Sequence, residues 1–327
     1  NVVFYTAAIV LAQNNFGIAS FTWAVLLRGL VGLLLIYIIS PWKPTLSIDK
    51  TISKKLISFG VPFQLNSILA LLKDDLLTIL LGKILSFTQI GYLGWAQKWS
   101  FTPLRFFMDN LIKVTFPAYS RLQDEKTHLK SAIEKSLFFV TFTVYPTVVG
   151  ILVIAPIIVN LVPKYQKWET AIPLLYFYGI NAIFAAVNTT LTNILFALGK
   201  PKIILKLMVF WTILTWLLTF ALYKLLGYQG VAIASALVAA STSITIYFVK
   251  KEVNISVISS VKVPLLASIV MYFVLSYLQR HLGSSVLSLV SIILTGVIIY
   301  SAMLLAYYRS KLIADLKVVV NTILKKG

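Results

Sequence analysis

The segment SLFFVTFTVYPTVVGILVIAPIIVNLV, residues 136–162, contains no charged side chain. At about 1.5 Å per residue it is longer than the roughly 30 Å hydrocarbon core of a bilayer, and it lacks the alternation of a barrel strand of about 10 residues. Lipid offers backbone groups no partner outside their own segment, so the stretch reads as a membrane-crossing helix. Similar runs, bounded by charged or Pro/Gly punctuation, fall near 1–13, 17–40, 58–82, 88–118, 171–197, 202–226, 228–249, 262–279 and 285–307. The reading is an all-α polytopic membrane protein with about ten spans, the first partial.

Composition agrees. Apolar residues make up 59% of the 327 residues and charged ones 12%, with a mean hydropathy of +0.90, far from soluble averages. Cysteine is absent, which removes disulfide-stapled folds and thiol chemistry. The net charge of +19 would in a soluble chain suggest nucleic acid, but between apolar spans it points to membrane lipid and excludes a nucleic-acid partner. The first apolar stretch, Val2 to Leu11, is too short to cross a bilayer and reads as the end of a helix begun upstream. It also lacks the basic start and cleavage site of a signal peptide.

Lys and Arg test the span count, because a correct count puts them in alternate loops. One side collects Lys43, Lys50, Lys54 and Lys55, then Arg121, Lys126 and Lys130, then Lys200, Lys202 and Lys206, then Lys250, Lys251 and Lys262, and finally five in the tail, eighteen in all. The other side holds only Lys83, Lys164, Lys167, Lys224 and Arg280. The basic side is cytoplasmic, so the C-terminus is expected there and an even number of helices is expected ahead of Asn1. In the tail, 308–327, Leu312, Leu316, Val319, Val320 and Leu324 recur at helical spacing among lysines, predicting a cytoplasmic interfacial helix.

Six basic residues remain: Arg28, Lys73, Lys98, Arg105, Lys113 and Lys135. Lys135 can snorkel at a helix end. The others lie within spans, where a lipid-facing charge costs on the order of 2.5–3.5 kcal/mol, so they are expected to face protein or water. In IGYLGWAQKWSFTPLRFFMDNLIKVTFPAYS, 90–120, Lys98, Thr102, Arg105, Asp109 and Lys113 fall at about 0°, 40°, −20°, 20° and 60° on a helical wheel, one narrow stripe. Asp109 can pair with Arg105 and Lys113, each four residues away, leaving surplus positive charge. Gln97 and Asn110 add hydrogen-bonding capacity nearby, and Pro103 predicts a kink.

The preceding span carries Lys73, Asp74 and Asp75 near mid-membrane. In a regular helix Gln64, Ser67, Asp75 and Thr78 share one face, and Asn66 and Lys73 the opposite one. Asp74 and Asp75 are expected to pair with cations of the next span. The plainer reading of such charges is interhelical ion pairing that fixes register; surplus cations are poor glue, which favours an anion site. The two histidines, His128 and His281, fall in loops on opposite sides and form no metal-ligand spacing, and no P-loop or dinucleotide motif occurs. No enzyme activity, metal or cofactor is therefore expected. The glycosylation pattern at Asn188-Thr189-Thr190 lies inside a span and at Asn254-Ile255-Ser256 on the cytoplasmic side, so both read as chance.

Longer stretches carry a resemblance. ISFGVPFQLNSILALLKDDLLTILLGKILSFTQIGYLGWAQKW (57–99) followed by RFFMDNLIKVTFPAYSRLQDE (105–125), with SPWKP at 40–44, FALGKPK at 196–202 and LGYQGVAIASAL at 226–237, is similar to Wzx-type polysaccharide flippases. These belong to the MOP superfamily with the MATE and lipid II flippases. The resemblance implies two six-helix lobes around a central cavity: 1–40 as the last two helices of the first lobe, 58–249 as the second lobe, 262–307 as two additional C-terminal helices, and 308–327 as the tail. The parent would have about fourteen spans. It further implies a lipid-linked oligosaccharide substrate in the inner (plasma) membrane, with polysaccharide assembly machinery as partner. Lys98, Arg105, Lys113, Lys73, Gln97 and Asn110 would then bind substrate, while Asp74, Asp75 and Asp109 would couple to an ion or balance charge. The competing expectations are a cation-coupled MATE-like drug antiporter and a membrane oligosaccharide polymerase or ligase; the short external loops argue against the latter.

Overall fold

The computed structural model describes the backbone of residues 2–40 and 49–324, with side chains through Tyr307. Expectations for 41–48, which include most of the SPWKP segment, and for side chains beyond Tyr307 lie outside the described residues. Every described element is helical. Two compact units divide the chain, Asn1–Leu56 and Ile57–Gly327.

In the first unit, α1 (Val2–Gln13) packs on α2 (Ala19–Ile39). The turn between them places Asn15 at φ 66° and Gly17 at φ 52°, and Ser20 donates to the Gly17 carbonyl at 2.6 Å. Asp49 precedes α3 (Lys50–Leu71) and accepts from the backbone of Thr51 at 2.7 Å and Ile52 at 3.1 Å. Those two bonds favour the carboxylate and hold its pKa below the ordinary Asp range.

In the second unit α3 passes into a π-helical turn, Leu72–Leu76, and then α4, Leu77–Ile84. The long helices α5 (Phe87–Arg121) and α6 (Lys126–Leu161) follow. A 3-10 segment, Pro163–Ala171, leads into α7, Ile172–Ala197. Next come α8 (Pro201–Leu226), α9 (Gln229–Ala240), α10 (Thr242–Glu252), α11 (Val257–Leu282) and α12 (Val286–Leu324).

Each of the ten predicted spans is occupied by helix, and some helices run well past the predicted limits, α3 beginning at Lys50 and α6 at Lys126. Seven of the helical stretches are long and apolar enough to cross a membrane. The short α1 and the two charged stretches 50–84 and 87–121 are the predicted spans outside that set. Through the tail α12 continues as helix without a break to Leu324, because nothing between Tyr307 and Leu324 stops a helix.

The helix α7 lies at the centre of this unit, packed by α5, α6, α8, α9 and α10. Between membrane helices, small residues at the interface permit the close approach that gains dispersion energy. Ala182 and Ala186 on α7 are fully buried, and Gly179 leaves room for Leu152 of α6, whose side chain stands 2.9 Å from where a methyl would sit. Ser100 on α5 donates to the Leu175 carbonyl at 3.1 Å, which fixes α5 against α7. A second apolar cluster, around Tyr119, Ile133, Leu191 and Val249, closes the end where α5 meets α6. A third joins α11 and α12 to α6 through Val149, Val153, Met271, Ile292 and Tyr300.

Candidate functional site

A polar cavity of about 510 Å³ opens between the π turn, α5, α7, α8, α9 and α10. Both interruptions of helical regularity within its walls are local. The π turn, with its i to i+5 spacing, is wider than an α turn, and it brings the consecutive residues Lys73, Asp74 and Asp75 onto the cavity together with Thr78. The expected opposition of Lys73 to Asp75 and Thr78 assumed an unbroken α-helix, and the wide turn removes it. Asn66 instead lies buried away from the cavity, donating to the carbonyls of Pro62 at 2.9 Å and Pro201 at 3.4 Å. The second interruption is Ser241, between α9 and α10. Its hydroxyl accepts from Trp211 Nε1 at 2.9 Å and donates to the Val238 carbonyl at 2.6 Å.

The helix α5 presents Ile90, Leu93, Gly94, Gln97, Phe101 and Arg105 to the cavity, about −140° to −20° on the wheel that places Lys98 at 0°. The predicted stripe occupies roughly −20° to 60°, so Arg105 is where the two sectors meet. Lys98, Asp109, Asn110 and Lys113 are exposed on the adjoining face. The Asn110 amide is taken up by the Phe106 carbonyl at 2.9 Å, and Thr102 donates to the Lys98 carbonyl at 2.7 Å. Pro103 does not break α5, which continues through it from Phe87 to Arg121.

The ion pairing also differs from expectation. Lys73 Nζ meets Asp74 Oδ1 at 2.8 Å, with the lysine 24% and the aspartate 59% exposed. Arg105, Asp75, Asp109 and Lys113 make no ion pair among the described residues. Exposed i, i+4 partners gain too little in high dielectric to hold two long side chains in one geometry. The cavity therefore carries two cations and two carboxylates, one pair formed and the charges of Arg105 and Asp75 open.

Sequence reading missed most of the uncharged lining. Tyr178, Asn181 and Asn188 come from α7, Trp211, Thr215 and Thr219 from α8, and Ser235, Ser241 and Thr242 from α9 and α10. On α7 these residues stand three and seven apart and on α8 four apart, and that helical spacing was the available signal, diluted by the apolar residues between. Asn181 donates to the backbone carbonyl of Ser235 at 3.1 Å and also to its hydroxyl.

A bundle of long apolar helices around a polar, charge-bearing cavity defines an integral membrane protein. Over 95% of the chain the fold matches lipid II flippase MurJ in its inward closed conformation, at a TM-score of 0.65, 17% sequence identity and 67% coverage of that chain. Residues 1–173 match the model of a family described as polysaccharide biosynthesis protein, and the chain belongs to that family. It is 27% identical over 195 residues to lipopolysaccharide biosynthesis protein WzxC of Escherichia coli (strain K12), covering 59% of this chain and 39% of WzxC. It is 25% identical over 150 residues to an uncharacterized membrane protein in the cps region of Klebsiella pneumoniae, covering 46% of this chain and 31% of that one. The matched regions thus span less than half the length of either relative.

Proposed function

We propose that this protein carries a polyprenyl-diphosphate-linked oligosaccharide from the cytoplasmic to the outer leaflet of the inner (plasma) membrane by alternating access. The observation that carries this reading is Arg105, a guanidinium without a carboxylate partner among the described residues, on the wall of a polar cavity inside a membrane bundle. A diphosphate supplies the missing counter-charge, and Arg is suited to bidentate phosphate contact. Family membership, the likeness to WzxC and the MurJ-like fold support the same reading. Lys73 and Gln97 reach the phosphate from within the cavity. Lys98, Lys113 and Asn110 guide it along the adjoining face of α5, and the prenyl tail stays in lipid. Asp74, Asp75 and Asp109 balance charge or couple movement to an ion. The protein works as a transporter, with its C-terminus cytoplasmic and polysaccharide assembly enzymes as neighbours.

The test replaces the gene with an Arg105→Ala version and measures surface polysaccharide alongside membrane protein level. Export is expected to fall more than about tenfold at unchanged protein level, the loss of one charge-assisted contact or more. Undiminished export refutes the reading. Asp75, a cavity carboxylate with no ion pair among the described residues, favours the second reading, a cation-coupled drug antiporter; under that reading Asp75→Asn raises drug sensitivity and leaves polysaccharide untouched.

A further inference from the structure

All four charges on the cavity come from the π turn and α5, whereas α7, α8, α9 and α10 contribute only uncharged groups. Some of those groups are already committed. Asn181 is bound to Ser235, Trp211 Nε1 to Ser241, Ser241 to Val238 and Thr242 to Ala239. Four others on α7 and α8 have no hydrogen-bond partner among the described residues: Tyr178, Asn188, Thr215 and Thr219. The Oδ1 of Asn188 is buried and unsatisfied. Thr219 is 1% exposed and Tyr178 5%, yet both border the cavity. Buried polar groups are ordinarily paired, and leaving one unpaired costs roughly 1–3 kcal/mol.

The arrangement along the helices is regular. On α8, Trp211, Thr215 and Thr219 stand four residues apart, one above another on one face. On α7, Tyr178 and Asn188 flank Asn181 and the small Ala185 on the cavity side. Hydroxyls, an amide that both donates and accepts, and an indole bordering the same space suit a ligand with many hydroxyls and no charge. A volume of about 510 Å³ falls within the roughly 300–1,000 Å³ range of small-molecule pockets.

We infer that the α7–α8 wall, through Asn188, Thr215, Thr219 and Tyr178, is a glycan subsite. It takes the hydroxyls of the sugar nearest the diphosphate while Arg105 holds the phosphate. The inference rests on the flippase reading and adds the part of the cavity that distinguishes a glycosylated lipid from a bare one. A site built to hydrogen-bond hydroxyls discriminates strongly against an analogue that lacks them.

The experiment measures binding to the full-length protein in detergent. Its probes are the host's extracted polyprenyl-diphosphate oligosaccharide, polyprenyl diphosphate without sugar, and the free oligosaccharide released by mild acid. Asn188→Ala and Thr215→Val are expected to weaken the first probe about tenfold and the second less than about twofold. Thr215→Ser, which retains the hydroxyl, is expected to bind as the unaltered protein does. Arg105→Ala is expected to weaken both lipids. Equal losses on both lipids from Asn188→Ala and Thr215→Val, or no loss on the glycosylated one, overturn the subsite while leaving the flippase reading intact. If the unaltered protein binds neither lipid, the flippase reading itself fails, and the subsite with it. Free oligosaccharide that binds more weakly in Thr215→Val than in the unaltered protein confirms contact with the sugar directly.

Discussion

Tyr300 on α12 donates its hydroxyl to the backbone carbonyl of Phe142 on α6, at 2.9 Å. That carbonyl lies four residues before Pro146, which has no N–H to return to it. The tyrosine fills the hydrogen bond that the proline leaves open, so a side chain from α12 completes the backbone of α6.

The pairing makes a coupled prediction. Tyr300→Phe is expected to destabilise the protein by roughly 0.5–1.5 kcal/mol, the net worth of one such bond in a bundle. In a Pro146→Ala background, residue 146 regains an N–H for Phe142, and the same Tyr300→Phe change is expected to cost much less. Thermal unfolding of the four proteins of this cycle in one detergent gives the coupling directly; equal costs in both backgrounds refute the link.

A second prediction concerns the join between α8 and α9. Gly227, at φ 63°, ends α8, and the chain folds back so tightly that a methyl at Gly230 would run into the carbonyl of Leu222. Backbone cannot yield as a flexible side-chain tip can. Gly230→Ala is expected to cost on the order of 1–3 kcal/mol or to lower the folded yield. Gly150 sits inside α6 with no atom within 4 Å of an added methyl. There Ala is expected to be neutral or to stabilise by up to about 1 kcal/mol. Detergent-extracted yield and melting temperature separate the two cases.

The third prediction tests orientation. None of these 327 residues is cysteine, so a thiol introduced among them is the one labelling site of this stretch. Gln166→Cys, exposed in the 3-10 segment after α6, is expected to react with an impermeant maleimide in intact cells. Thr127→Cys, exposed at the start of α6, is expected to react only after permeabilisation. The reverse pattern would invert the topology.

The spans were legible because lipid leaves one solution for a long uncharged run, and a break in the Lys/Arg alternation would have exposed a miscounted helix. The cavity was legible only in part. A wheel at 100° per residue found the polar sector of α5 but centred it away from the cavity, since the pattern marks every face not buried in protein and says nothing of which neighbour it meets. Arg105 was found because it belongs to both sectors. Lys73 and Asp75 were assigned to opposite faces because nothing in Leu72-Lys73-Asp74-Asp75-Leu76 announces a widened turn. Thr215 and Thr219 were overlooked because hydroxyl residues in apolar helices commonly satisfy themselves on the preceding turn, as Thr190 does on Ala186 at 2.9 Å.

The turn at Leu72–Leu76 has one further implication. A π turn behaves as a single added residue absorbed into an α-helix, a local swelling that leaves the rows on either side in step. Asn66 therefore keeps its seat beside Pro201 while Leu77 and Leu81 keep theirs in the apolar cluster around α7. Excising one residue here is the smallest edit that would disperse the three converging ionisable groups without unseating either flank.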